Sequence, residues 1–342
     1  MKNLIISTAP HIRKDRSIKE IMWTVVIALI PACLMGCLIF GLSAVRVLLI
    51  STCSAVLTEL LICLIFKKNI TISDGSAVVT GVLVGMNMPP VIPWYVPAVA
   101  SFFAIAVVKM LFGGLGYNFL NPALAGRVFV MFAWLSAMTT WQKPSPPEWF
   151  MKFFNLPYVD SISTATPLNI FKYHGMDAVV EFFTSKSSMY KHLFIGTVGG
   201  CIGEVSALAI LIGAIILFIR KIITPLIPFF YIGTVALITW IFGGNNGLFT
   251  GDALFHILSG GLLLGAFFMA TDMVTSPITP LGQIVFATGA GILTSVIRLK
   301  GGYPEGVSFS ILFMNVLTPL IDKIFHSRLL FNIIMKKKNK VV

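Results

Sequence analysis

IMWTVVIALIPACLMGCLIFG (residues 21–41) and VRVLLISTCSAVLTELLICLIF (residues 45–66) decide the fold. Each is an apolar run of the length that crosses a bilayer core about 30 Å thick, for which roughly 20 helical residues suffice. The pattern does not stop there. Working outward, ten such candidates fall at approximately 21–41, 45–66, 76–90, 94–112, 122–141, 193–219, 223–242, 253–271, 281–298 and 306–325. The third is short and ends in Met88-Pro89-Pro90, and the eighth carries Gly260-Gly261 before Asp272, so both read as half-spans or broken helices. Of the 342 residues, 57% are hydrophobic and 11% charged, whereas soluble domains carry about 25% charged residues. The expected fold class is an all-α integral membrane protein of about ten transmembrane helices.

The formal charge of +12 raises nucleic acid as a partner, but the basic residues cluster at the ends of apolar runs, as orientation signals do, and no nucleic acid is expected. The first twenty residues hold five Lys or Arg and no short apolar core followed by a cleavage site, so residues 1–20 read as a retained cytoplasmic tail. Lys67-Lys68, Lys109, Arg127, Arg220-Lys221 and the closing KKKNK alternate with the spans, placing both termini in the cytoplasm. Arg46, Arg298 and Lys300 fall at outer ends; Glu305 stands near the last two, and Arg46 has no evident partner. The resulting organisation is a first five-helix half (21–141), an extracytoplasmic loop (142–192), a second five-helix half (193–325) and a basic cytoplasmic tail (326–342). Cys33, Cys37, Cys53, Cys63 and Cys201 lie in apolar runs without a CxxC pair, and no metal site is expected of them.

The halves resemble one another. Pro90-x-x-Pro93 precedes Gly113-Gly114, and Pro277-x-x-Pro280 precedes Gly301-Gly302, an offset of 187 to 188 residues. Repeats of five helices face opposite ways across a membrane, and such inverted repeats place broken helices, with free backbone dipoles, near the midplane where ligands bind.

Two stretches exceed what topology requires. In FGGLGYNFLNPALAGR (112–127), glycines allow close backbone approach and Asn118 and Asn121 offer amide groups three residues apart. Asn121 before Pro122 also suits a helix N-cap, which by itself would account for that residue. In DSISTATPL (160–168), the hydroxyls of Ser163, Thr164 and Thr166 suit a turn or the cap of a short helix through LNIFKYHG.

DSISTAT resembles the D-x-x-S-[small]-A-T flavinylation motif, with Thr164 where Gly is usual. Together with GGLGYNFLNPALAGR, DGSAVVTG (74–81) and FFMATDMVTSP (267–277), it is similar to the RnfD/NqrB family over nearly the whole chain. These are membrane flavoprotein subunits of the Rnf ferredoxin:NAD oxidoreductase and of the sodium-pumping NADH:quinone reductase. With only about twenty residues before the first span, the chain is more like RnfD than NqrB. The resemblance implies FMN joined through its phosphate to Thr166 by a flavin transferase, with Asp160, Ser163 and Ala165 completing the motif. It further implies a noncovalent riboflavin held by Asn118, Asn121 and Asp272, and more weakly by Asp74. Electrons would run from an extracytoplasmic FMN subunit to the FMN on Thr166, then riboflavin, then a cytoplasmic NAD-reducing subunit, with Na+ or H+ transport coupled to that flow. No catalytic acid or base is expected. Trp149, Phe150, Phe153, Phe154 and Tyr158 are equally candidates to shield the FMN and to anchor at the interface.

Glu59, Glu204 and Asp322 are carboxylates in apolar context, with Lys109 and Arg127 as candidate partners; each could line a cation path or form a structural pair. Asp272 also reads as a carboxylate in a hydrated cytoplasmic loop. The rival class is a solute channel or transporter, which shares the inverted-repeat plan but has no use for a flavinylation motif.

Overall fold

A computed structural model describes residues 17–154, 165–244 and 247–338, with side chains to residue 325. All regular structure among the described residues is helical. Helix α1 (Ile18–Phe40) starts at Ser17, whose hydroxyl accepts from the Glu20 amide, and ends at Gly41 (φ 67°), which turns the chain into α2 (Leu42–Ile65). Next come α3 (Ser76–Met86) and α4 (Tyr95–Phe103), the latter continued by a π-helical turn over Ala104–Met110. Pro122 opens α5 (Pro122–Ala133), and α6 (Leu135–Met138) follows Trp134. Three helices lie between the halves: α7 (Glu148–Phe153), α8 (Pro167–Phe182, interrupted at Gly175) and α9 (Lys186–Ile195). The second half holds α10 (Ala207–Ile219), α11 (Leu226–Phe242), α12 (Ala253–Leu258) and α13 (Leu262–Leu264), which runs on as a π turn over Gly265–Met269. It closes with α14 (Pro280–Lys300) and α15 (Val307–Lys338).

Helices α1, α2, α14 and the first part of α15 are long and apolar enough to cross a membrane. Together with the apolar length of α3, α4, α5, α10 and α11, this makes the chain an integral membrane protein. Leu34, Leu42, Leu57, Phe132, Ile215 and Phe229 stay exposed on their outer faces, as lipid contact requires.

The sixth apolar run, read from the sequence as one span over 193–219, is two pieces. α9 stops at Gly196 (φ 114°), and α10 does not begin until Ala207. The chain between them docks on the end of α3: the Ile202 amide donates to Met88 O (3.1 Å) and the Gly203 amide to Met86 O (2.8 Å). Composition cannot reveal this, because an apolar segment that pairs its backbone with another element is as apolar as one that pairs within a helix. A Cβ on Gly203 would strike Met86, which explains the small residue there. The eighth run breaks at Gly260-Gly261 as expected. Its freed carbonyls are taken by Arg298, whose guanidinium donates to His256 O (2.5 Å) and Ser259 O (3.1 Å). The outer-end placement of Arg298 thereby has a cause, and so does that of Arg46, which donates to Ile92 O at 3.1 Å. Glu305 hydrogen-bonds to Arg127 and the Gly261 amide, within electrostatic reach of Arg298.

The Pro-x-x-Pro and Gly-Gly signals each bracket one helix, α4 in the first half and α14 in the second. α4 packs on α2 and α5, and α14 on α11 and α15, so the bracketed helices hold equivalent places in chain order.

Candidate functional site

Two cavities flank α5. The first lies at its start, between the N-terminal end of α1, α3, the turn after α4, and the loop that follows the second π turn. Its walls are chiefly apolar, including Met22, Val25, Leu83, Phe267 and Phe268, with Ser76, Thr80, Lys109, Asn118, Asn121 and Asp272 as polar points. Pockets that take a flat organic ligand combine these features: apolar walls and a few placed polar groups.

Asn121 caps α5, its Oδ1 accepting from the Ala123 (3.0 Å) and Leu124 (3.3 Å) amides, while its Nδ2 donates to Met269 O at 3.2 Å. The capping expectation therefore holds, and the same amide clamps the second π turn against α5. Asn118 donates to Leu120 O at 3.1 Å and is buried. The Asp272 carboxylate accepts from the Val274 amide (3.3 Å) and the Thr275 hydroxyl (3.2 Å), so it folds its own loop as well as lining the cavity. Asp74 is not in the wall; its Oδ1 accepts from Ser76, which is.

The second cavity lies toward the other end of α5. Thr166 and Leu168 form one wall, Met131, Met138, Trp141 and Tyr303 supply apolar and aromatic surface, and Arg127, Glu204 and Glu305 form a polar floor. Thr166 is the N-cap of α8, its hydroxyl accepting from the Asn169 amide at 3.2 Å, with Pro167 at the first helical position. An anion attached to this oxygen meets the positive dipole end of α8. Ala165 stands beside it, half-buried, while Asp160, Ser163 and Thr164 lie outside the described residues.

Arg127 organises the floor. Its guanidinium donates to Asn87 Oδ1 (3.0 Å), Ser308 Oγ (2.9 Å) and Glu305 Oε2 (3.0 Å), and its Nε is buried without a partner. Glu204, a candidate partner of Arg127 from sequence, accepts from the Cys201 amide at 2.8 Å and shares the floor with the Arg127 charge, which acts on it. Glu59 pairs with Lys109 as the sequence suggested, at 2.6 Å. Asp322 accepts from the Ile278 amide at 3.1 Å. Among the described residues no three His, Cys, Asp or Glu side chains gather into a metal-binding group.

The model of the NQR2, RnfD, RnfE family matches residues 5–330. The chain belongs to this family. It is 50% identical, over 94% of its own length and 95% of the relative's, to the D-type subunit of the proton-translocating ferredoxin:NAD(+) oxidoreductase complex of Clostridium ljungdahlii. It is 44% identical, over 99% and 98%, to the Na(+)-translocating counterpart of Acetobacterium woodii. To the D-type subunit of the ion-translocating oxidoreductase complex of Stutzerimonas stutzeri it is 37% identical, over 91% and 92%.

Within this family chain, sequence reasoning missed Trp141, Tyr303 and Glu305 at the Thr166 cavity, and Lys109 and Ser76 at the Asn118 cavity. Ser76 lies in the DGSAVVTG stretch and Lys109 reads from the sequence as an ion-pair partner; Tyr303 and Glu305 follow the Gly301-Gly302 signal, the one hint that this turn approaches something closely. Trp149 and Phe153, weighed as flavin shields, are exposed and line neither cavity, and Phe150 is buried against Ile195. Tyr158 lies outside the described residues.

Proposed function

We propose that the chain is the membrane-embedded, RnfD-type electron-transfer subunit of an Rnf ferredoxin:NAD oxidoreductase complex that moves Na+ or H+. It carries FMN on Thr166 through a phosphoester and a noncovalent riboflavin in the cavity of Asn118, Asn121 and Asp272. Its helices form ten spans in two inverted halves, with Thr166 on the extracytoplasmic side. Its partners are an outer FMN subunit, a cytoplasmic NAD-reducing subunit and the flavin transferase that loads Thr166.

The observation that carries this reading is the pair of cavities at the two ends of one helix, with the flavinylation-motif threonine in the wall of one and both motif asparagines in the wall of the other. Asn121 and Arg127 are six residues apart, about 9 Å along α5. The two seats therefore stand in series across the bundle. Bound flavin supplies reversible electron transfer; the remaining tasks fall to the chain. Thr166 holds an anionic phosphoester at a helix N-terminus, Trp141 and Tyr303 exclude water, and Arg127 holds a positive charge at the cavity floor. A solute transporter has no need of a hydroxyl so placed. The relatives' names divide between proton and sodium ion, so the transported ion does not follow from similarity.

The test is flavin fluorescence of the denatured polypeptide, from cells that make the transferase. A fluorescent band is expected, with an FMN adduct on the peptide that contains Thr166. Thr166→Ala should abolish both, while the protein survives the loss of a cap worth about 1 kcal/mol. Thr166→Ser keeps the cap and a hydroxyl, and separates loss of attachment from loss of fold. A colourless, unmodified wild-type chain would end the redox reading.

A further inference from the structure

Lys109, in the wall of the Asn118 cavity, belongs to an ion pair that neither the fold nor the attachment of a flavin requires. Lys109, 2% exposed, lies 2.6 Å from Glu59 Oε2 and 2.6 Å from Ser76 Oγ, and Glu59 is fully buried. The order of charges is fixed from both ends. Glu59 Oε1 accepts from Thr71 Oγ1 at 2.5 Å, and Ser76 Oγ donates to Asp74 Oδ1 at 2.6 Å. Lys109 and Ser76 face the cavity, and Glu59 does not. The ammonium therefore stands between the cavity and its counter-charge. A ligand there meets a positive group backed by a negative one.

Stability does not account for this arrangement. A buried ion pair contributes about as much as well-packed apolar residues of the same volume, and often less. At membrane depth each charge is also expensive to bury. Lys109 sits, moreover, in the seven-residue π-helical turn that ends α4, a rare winding frequent at functional sites.

We infer that Lys109, held by Glu59 and Ser76, is a positioning charge that sets the redox balance of the flavin in this cavity. The inference rests on the proposed riboflavin reading and deepens it. Uptake of two electrons and one proton leaves a flavin one unit more negative than before; the electrons come from the reduced partner in the complex and the proton from water. A neighbouring ammonium favours that more negative form. Glu59, farther back, opposes it. The two charges therefore act with opposite sign on one equilibrium, which a merely structural pair would not do.

The experiment uses the full chain carrying Thr166→Ala, so that only noncovalent flavin remains, and titrates its absorbance against electrode potential. Lys109→Gln should lower the midpoint by at least the equivalent of a tenfold change in the reduced-to-oxidised ratio, about 30 mV for a two-electron couple. Glu59→Gln should raise it by a similar amount. Lys109→Arg should hold it near the parent value. The double variant Glu59→Gln/Lys109→Gln leaves no unpaired buried charge, and its midpoint should lie between those of the parent and Lys109→Gln. If one single variant does not assemble, the other decides the question, because each is expected to move the midpoint in its own direction by at least the tenfold equivalent. Midpoints within the tenfold window for every variant, or both single variants moving the same way, would overturn the inference while the retained flavin upholds the riboflavin reading. A parent chain that holds no flavin after Thr166→Ala would instead refute that reading, and the role of Lys109 with it.

Discussion

Arg127 commits its guanidinium to four groups from separate parts of the chain: Asn87 at the end of α3, Cys201 in the segment docked on it, Glu305 in the turn after α14, and Ser308 in α15. Two carboxylates, Glu305 and Glu204, share the floor with this one guanidinium. Removing the cation leaves buried negative charge without a partner, and such losses cost about 3–5 kcal/mol. Arg127→Met should therefore lower the thermal midpoint of the purified protein sharply. Adding Glu305→Gln should restore part of the loss, because the uncompensated charge goes with it. Thermal unfolding of both single variants and the double variant gives the coupling. Additivity within about 0.5 kcal/mol would show that the two side chains do not act as a pair.

At the scale of elements, close backbone approach does much of the assembly. Gly213 brings α10 against α1 so tightly that a Cβ would collide with Ala28 O and the Phe268 ring, whereas a Cβ on Gly233 in α11 meets nothing within 4 Å. Gly213→Ala should destabilise the protein and spread α1 from α10. Gly233→Ala, which gains helix propensity in open space, should be stabilising by about 0.5–1 kcal/mol. Parallel melting curves check both directions at once. The same contrast explains what the sequence could and could not convey. Long helices were legible because burial in lipid writes itself as length and hydropathy, so α1, α2 and α14 fall within three residues of the apolar runs that announced them. The cap at Asn121 and the break at Gly260-Gly261 were legible because each depends on local chemistry. The docking of 196–206 on α3, the Arg127–Glu305 pair and the aromatic walls from Trp141 and Tyr303 were not. Each depends on contacts between residues far apart in sequence, and hydropathy carries no record of such contacts.

Across the whole molecule, the question is which cavity faces which compartment. The end of the bundle that holds the Asn118 cavity also carries the exposed Lys67, Lys68, Arg220 and Lys221 beside α2 and α10. The Thr166 cavity lies among Thr139, Trp141 and Leu193, near α8 and α9. Basic residues are retained on the cytoplasmic side, so the first cavity should open toward the cytoplasm and the second away from it. Single cysteines make this measurable, since Ser187 in α9 and Lys68 after α2 are both exposed and lie at opposite ends of the bundle. In intact cells, a charged maleimide that does not cross membranes should label Ser187→Cys and leave Lys68→Cys untouched until the membrane is permeabilised. The parent chain supplies the background from its own five cysteines, three of them half-buried or exposed within apolar helices. Labelling of Lys68→Cys alone in intact cells would invert the topology and place Thr166 in the cytoplasm. Equal labelling of both would mean that the two positions do not flank a membrane at all. The expected pattern, with the FMN adduct on the peptide of Thr166, would put one flavin seat on each side of the bilayer midplane, the arrangement through which inward electron flow moves charge across the membrane.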